Sequence, residues 1–127
     1  KSCISWCKEN GLNVKYMKID ILPFEDESFD SIMLDNVLEH IKNPDPLLKE
    51  VYRVLKKQGK LVVGVPGIRG FKYDDDHKIF YSKNDLVSKV GSSGFINKKI
   101  FGMPLNVDFL STKIRQYCVY AQFIKKI

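Results

Sequence analysis

The segment NPDPLLKEVYRVLKKQGKLVVGVP, residues 43–66, leaves few folds open. Leu47, Leu48, Val51, Val54 and Leu55 recur at i, i+1, i+4, i+7 and i+8. That spacing makes one apolar stripe on a helix, and such a stripe needs a surface to cover. Asp45 suits the N-cap and Pro46 the first helical position, where a missing N–H costs nothing. Lys56 and Lys57 meet the negative end of the helix dipole, and Gly59 supplies the stop. The pattern predicts a helix over 46–57. The run LVVGVP that follows is apolar throughout, as a strand covered on both faces of a parallel sheet must be. It predicts a strand over 60–66.

Upstream, FDSIMLDNVLEHI (residues 29–41) opens with Phe29, Ile32, Met33 and Leu34, which predicts a strand over 29–34. Strand, helix and strand then form one βαβ unit, which closes with right-handed connectivity, and the fold class is α/β. Residues 2–10 carry apolar side chains at helical spacings and end at Gly11, while Val14, Tyr16 and Ile19 predict a half-buried strand over 14–19. Ser82 and Asp85 form a capping pair ahead of Leu86, Val87 and Val90, and the helix closes at Gly91 to Gly94. Residues 95–103 and 115–124 read as two more strands, and their link is too short for a crossover helix, so they pair antiparallel.

The strand of residues 29–34 then discharges Asp35, Asn36, Glu39 and His40 within six residues. In an open parallel sheet, ligands bind outside the carboxyl ends of the strands. The three expected parallel strands end in Asp20, in Asp35 and Asn36, and in Pro66 and Gly67, so the polar residues gather at one edge. This run ends in polar side chains because it ends at a binding crevice.

A chain of 127 residues fits one domain, and 44% hydrophobic with 28% charged residues is a globular composition. No apolar run reaches the roughly 18 residues of a membrane span, and no signal peptide opens the chain, so a cytoplasmic location is expected. Cys3, Cys7 and Cys118 are spaced neither for a zinc knuckle nor for a closed set of disulfides, and read as reduced thiols. The net charge of +6 comes from dispersed lysines without an Arg-rich block, which argues against a nucleic-acid partner.

The stretch DILPFEDESFDSIMLDNVLEHIKNPDPLLKEVYRVLKKQGKLVVGVPG, residues 20–67, resembles the second half of the core of class I S-adenosylmethionine-dependent methyltransferases. That group runs D-x-LPF-x-(D/E)-x-SFD, then a turn ending in EH, then L-x-E-x-x-RVLKPGG-x-L. Residues 74–95, DDDHKIFYSKNDLVSKVGSSGF, are similar to the segment that precedes the late strands of many members acting on small molecules. The resemblance implies a partial Rossmann-like methyltransferase fold, a mostly parallel sheet with an antiparallel C-terminal strand. The family's Gly-rich loop and the acid that holds the cofactor ribose have no counterpart, since Gly64, Gly67 and Gly70 follow the wrong strand. Residues 1–127 therefore read as a single truncated domain, from the second helix onward.

The resemblance also implies roles. Asp20 would accept a hydrogen bond from the adenine amino group of S-adenosylmethionine, the Ile21 N–H would meet a ring nitrogen, and Leu22 would pack on the ring. Leu34, Asp35 and Asn36 would line the methionine end. His40 and His77, the only histidines, lie where the family places an acceptor and are the candidate bases. Some relatives with an E-x-x-E-H turn bind a divalent metal through those side chains and a later histidine; Glu39, His40 and His77 would be the counterparts here, but Asn36 stands for the first carboxylate and removes a charge that Mg²⁺ wants, so no metal is assigned. A small-molecule acceptor is expected, because a nucleic-acid methyltransferase would want a concentrated basic face. The competing expectation is a non-catalytic remnant that self-associates through unpaired strand edges.

Overall fold

In the computed structural model, which describes residues 2–127, a four-stranded sheet has the order β1-β2-β4-β3. The strands are β1 (Phe29–Asp35), β2 (Leu55–Pro66), β3 (Phe95–Met103) and β4 (Cys118–Lys125). β1 and β2 pair in parallel, and β4 lies antiparallel between β2 and β3. β1, β2 and β3 thus run one way and β4 against them, which is the expected mostly parallel sheet with an antiparallel C-terminal strand.

Four helices accompany the sheet among the described residues: α1 (Cys3–Glu9), α2 (Asp45–Val54), α3 (Ile68–Phe71) and α4 (Lys83–Gly91). α2 is the crossover between β1 and β2, and its stripe of Leu47, Leu48, Val51 and Val54 is buried. It joins Leu38, Leu61, Val63, Leu86 and Phe123 in the core. α4 opens on a capping box, with Ser82 and Asp85 each bonding the other's backbone N–H. α1 starts at Ser2, whose hydroxyl accepts the Ser5 N–H, and Gly11 beyond its end takes φ +73°, the left-handed turn that glycine allows. All three cysteines are free thiols. No helix of the described residues is long and apolar enough to cross a membrane.

Several points depart from the sequence reading: α2 opens at Asp45 behind Pro44, with no side-chain cap from Asp45, and β2 opens at Leu55 and not at residue 60. α2 stops at Val54, not at Lys57, because Leu55 turns extended (φ −82°, ψ 132°) and pairs with Phe29 in the sheet. Leu55 is fully buried there, so the residue that continued the helical stripe is claimed by the sheet. A register shift then carries the pairing on to Ser31 and Lys60, and Gln58 takes φ 59° in the irregular stretch between. The strand expected over 115–124 begins at Cys118.

The last departure is larger. Residues 14–19 form no strand, and an isolated bridge between Lys18 and Ile21 is the nearest approach to one. Tyr16 and Ile19 stand 72% and 57% exposed. An alternating pattern makes a strand only beside another strand, and the outer edge of β1 has no partner among the described residues. Asp20 accordingly ends a turn, not a strand.

α2 fixes the segment that follows. Glu50 Oε2 accepts the Leu22 N–H at 2.9 Å. Arg53 donates to Leu22 O at 3.1 Å, Phe24 O at 2.8 Å and Asp26 Oδ1 at 2.7 Å, while pairing with Glu50. Two side chains of one helix turn thus hold residues 22–26 against it.

Candidate functional site

β1 ends in Asp35, which pairs with Gly64 of β2; Gly64 faces Tyr120 of β4, and Tyr120 faces Phe101 of β3. Gly64 leaves room in this row, since a Cβ there would lie 2.5 Å from both Asp35 Oδ1 and Tyr120 Cε1. The Asp35 carboxylate and the Tyr120 ring therefore meet over a bare backbone. Burial first, and the Asp35 carboxylate second, push the Tyr120 hydroxyl up to about 12. Asn36 then turns the chain at φ 52°, its N–H donating to Gly64 O at 3.0 Å. Cys118, at the start of β4, has its thiol pushed up by burial and by the nearby Asp35 and Glu39 carboxylates.

The 3₁₀ turn Leu38–His40 buries Glu39 completely. Its carbonyl oxygen accepts from Lys78 N at 2.6 Å and Ile79 N at 3.1 Å, which draws the loop carrying His77 onto it. His40 Nε2 and His77 Nε2 lie 3.8 and 3.9 Å from Glu39 Oε1. The imidazole rings are 4.7 Å apart, and Phe71 stacks on His77 at 5.3 Å. Each Nδ1 is occupied, His40 by Asp76 Oδ2 at 3.0 Å and His77 by Phe71 O at 2.9 Å. Neither carboxylate oxygen of Glu39 accepts a hydrogen bond within the described residues. Burial raises this carboxyl above its ordinary range.

The residues singled out in the sequence divide into groups. His40 and His77, 37 positions apart, come together around Glu39. Leu34 and Leu22 share an apolar groove along β1 and α2, lined also by Phe24, Ile32 and Val51. Asp35 and Asn36 stand exposed at the end of β1, and Asp20 is exposed in its turn. The Ile21 N–H is taken by Lys18 O at 3.2 Å. Sequence reasoning missed Glu50, Arg53, Asp76 and Tyr120. Only the first two left a trace, an acid and a base at i and i+3 on the solvent side of α2; Asp76 and Tyr120 gain their partners through tertiary contact alone.

A methyltransferase-domain family model matches residues 2–63. An uncharacterized protein of Methanocaldococcus jannaschii is 40% identical over 103 residues, spanning 72% of this chain and 50% of that protein. Phosphoethanolamine N-methyltransferase 2 of Caenorhabditis elegans is 28% identical over 101 residues, 71% of this chain and 23% of the enzyme. The chain thus spans half or less of the length of these curated relatives. Among solved structures, an S-adenosylmethionine-dependent methyltransferase of Thermotoga maritima superposes with a TM-score of 0.75 at 23% identity, covering 97% of this chain and 68% of that one. That likeness establishes the fold, and the sequence matches agree with it in kind. Residues 2–63 of the chain belong to the methyltransferase-domain family, and the chain has the fold of the S-adenosylmethionine-dependent methyltransferases.

Proposed function

We propose that the protein carrying this chain transfers a methyl group from S-adenosylmethionine to a small-molecule acceptor, and that the chain supplies the adenine side and the acceptor side of the site. The observation that carries the reading is the convergence of Asp35, Asn36, Glu39, His40 and His77 just beyond the carboxyl end of β1, where an open α/β sheet takes its ligand. Phosphoethanolamine, the acceptor named for one relative, is a small molecule, which supports the substrate class.

S-adenosylmethionine brings a sulfonium methyl that an acceptor lone pair attacks in line, so the protein's tasks are positioning and management of the acceptor's proton. Asp20 is suited to the adenine amino group, since its carboxylate is exposed. The Ile21 N–H would leave Lys18 O to reach a ring nitrogen, and Leu22 already belongs to an apolar groove able to take one face of the ring. Asp35 and Asn36 offer charge and amide groups to the methionine end. His40, 31% exposed, and His77, 9% exposed, are the residues that manage the acceptor's proton.

Calorimetric titration of the longest polypeptide carrying residues 1–127 with S-adenosylhomocysteine tests the assignment. Asp20→Ala is expected to weaken binding by about 1–3 kcal/mol, the usual cost of an unpaired polar partner. Unchanged affinity removes Asp20 from the site. A second reading rests on the unpaired outer edge of β1 beside its apolar groove: the isolated chain self-associates there. A concentration-independent monomer mass in sedimentation would reject it.

A further inference from the structure

We propose that the body of the acceptor sits in the cavity between α3, the first turn of α4 and the 3₁₀ turn Asp108–Thr112, and that this cavity selects an uncharged aromatic or other flat apolar compound over a charged one. The acceptor role rests on the methyl-transfer reading, whereas the selectivity follows from the walls of the cavity alone.

The cavity has a volume of about 380 Å³, within the range of small-molecule sites. Pro66 ends β2 and Gly67 lines the cavity directly after it, so the cavity lies at the carboxyl edge of the parallel strands, where an α/β sheet takes its ligand. A Cβ on Gly67 would stand 2.9 Å from Tyr117 Cδ1 and 3.0 Å from Ser111 Cβ, so only a bare backbone lets the wall close there. The Gly67 N–H donates to Tyr117 O at 2.8 Å, and Arg69 Nη1 donates to Lys113 O at 2.6 Å. These bonds fix α3 against both ends of the opposite wall.

Ile68, Phe80, Tyr117 and Val119 make the apolar walls. Tyr117 and Val119 are buried, and Phe80 meets Phe71 edge-on at 5.6 Å. Phe71 in turn stacks on His77, so a single ring separates the cavity wall from that imidazole. Lys83 and Asp108 are the charged residues of the lining, and they face each other: Lys83 Nζ donates to Asp108 Oδ1 at 2.6 Å. No net charge is left over for a ligand. An anion would compete with Asp108 for the ammonium, a cation would compete with Lys83 for the carboxylate, and either would bring an unpaired charge against apolar walls. A neutral ring meets no such cost, and the Ser111 hydroxyl and Asn84 amide remain to bond its substituents.

Fluorescence titration of the longest polypeptide carrying residues 1–127 tests the selectivity with two probes that share their rings, neutral phenylnaphthylamine and anionic anilinonaphthalene sulfonate. Expected are saturable one-to-one binding of the neutral probe and sulfonate binding about tenfold weaker, the mark of a charge without a partner. Asp108→Asn frees Lys83 and should raise the affinity for the sulfonate, relative to the neutral probe, about threefold. Phe80→Ala and Ile68→Ser should each weaken the neutral probe about tenfold through lost apolar contact. Ile68 and Phe80 are 36% and 37% exposed, so their replacement spares the core, and circular dichroism verifies the fold. Equal affinity for the two probes overturns the proposal, as does the absence of saturable binding. So does neutral-probe binding that survives Phe80→Ala and Ile68→Ser but disappears in Ile32→Ser, which would place the probe in the groove beside β1. The titrations contain no cofactor, so a failure of S-adenosylhomocysteine to bind in calorimetry counts against the methyl-transfer reading and not against the selectivity of the cavity.

Discussion

Gly64 and Tyr120 face each other across β2 and β4, and a Cβ on Gly64 would stand 2.5 Å from Tyr120 Cε1. The same Cβ would meet Asp35 Oδ1 at 2.5 Å, so both the ring and the carboxylate would have to move to admit it. Gly64→Ala should lower stability by about 1–3 kcal/mol, the usual cost of overpacking. Urea unfolding monitored by circular dichroism reads this as a lower midpoint with an unchanged slope.

Tyr120 should titrate near 12 in the folded protein, followed by its ultraviolet difference spectrum. Asp35→Asn should bring the titration only part of the way back toward 10, because burial, the larger cause, remains. The sign for stability follows: a hydroxyl raised in the folded state contributes stability that is present below pH 10 and lost as pH rises toward 12. A full return to 10 in the variant would show that the carboxylate, and not burial, dominates.

Glu50 governs the acid side. Its bonds to Arg53 and the Leu22 N–H lower its carboxyl from 4.5 to about 2. A carboxyl depressed in this way contributes stability present above pH 4.5 and lost as pH falls toward 2. Glu50→Gln should flatten the acid limb of the stability curve between those values. Glu50→Ala should cost about 1–2 kcal/mol at neutral pH, a figure reduced for partial exposure. Limited proteolysis should then cut first within residues 22–26, the segment this helix face holds.

Lys125 is 7% exposed, and its Nζ donates to Leu55 O at 2.6 Å while lying over the Tyr52 ring. It satisfies a carbonyl left open where α2 becomes β2. Lys125→Met keeps the stem and removes the donor, and should cost about 1–3 kcal/mol. Hydrogen exchange at the last turn of α2 should quicken more than exchange in β3.

The sequence disclosed the elements whose signals are local. The α2 stripe, the Ser82–Asp85 cap and the apolar run of β2 each specify their structure within a dozen residues, and all three stand as expected apart from the last turn of α2. The failures lie where distant partners decide. Leu55 fits a helical stripe and a strand equally well, and Phe29, 26 residues upstream, settles it for the strand. Val14 and Tyr16 alternate as a strand requires, but no strand among the described residues lies beside them. At the site, Glu39, His40 and His77 could be suspected from residue type, but the groups that hold the two rings, Asp76 and Phe71 O, become visible only in three dimensions.

The place of β4 in the sheet order also sets a timetable. β4 is the central partner of both β2 and β3, and its pairs reach as far as Lys60 with Ile124. Until residues 118–125 leave the ribosome, β3 has no neighbour in the sheet and β2 lacks one of its two, so the sheet cannot close before they appear. Pairings of such long sequence separation make folding slow and expose bare strands in the interval. During synthesis the nascent β1–α2–β2 unit can form early, whereas β3 joins the sheet only once β4 is there to pair with it.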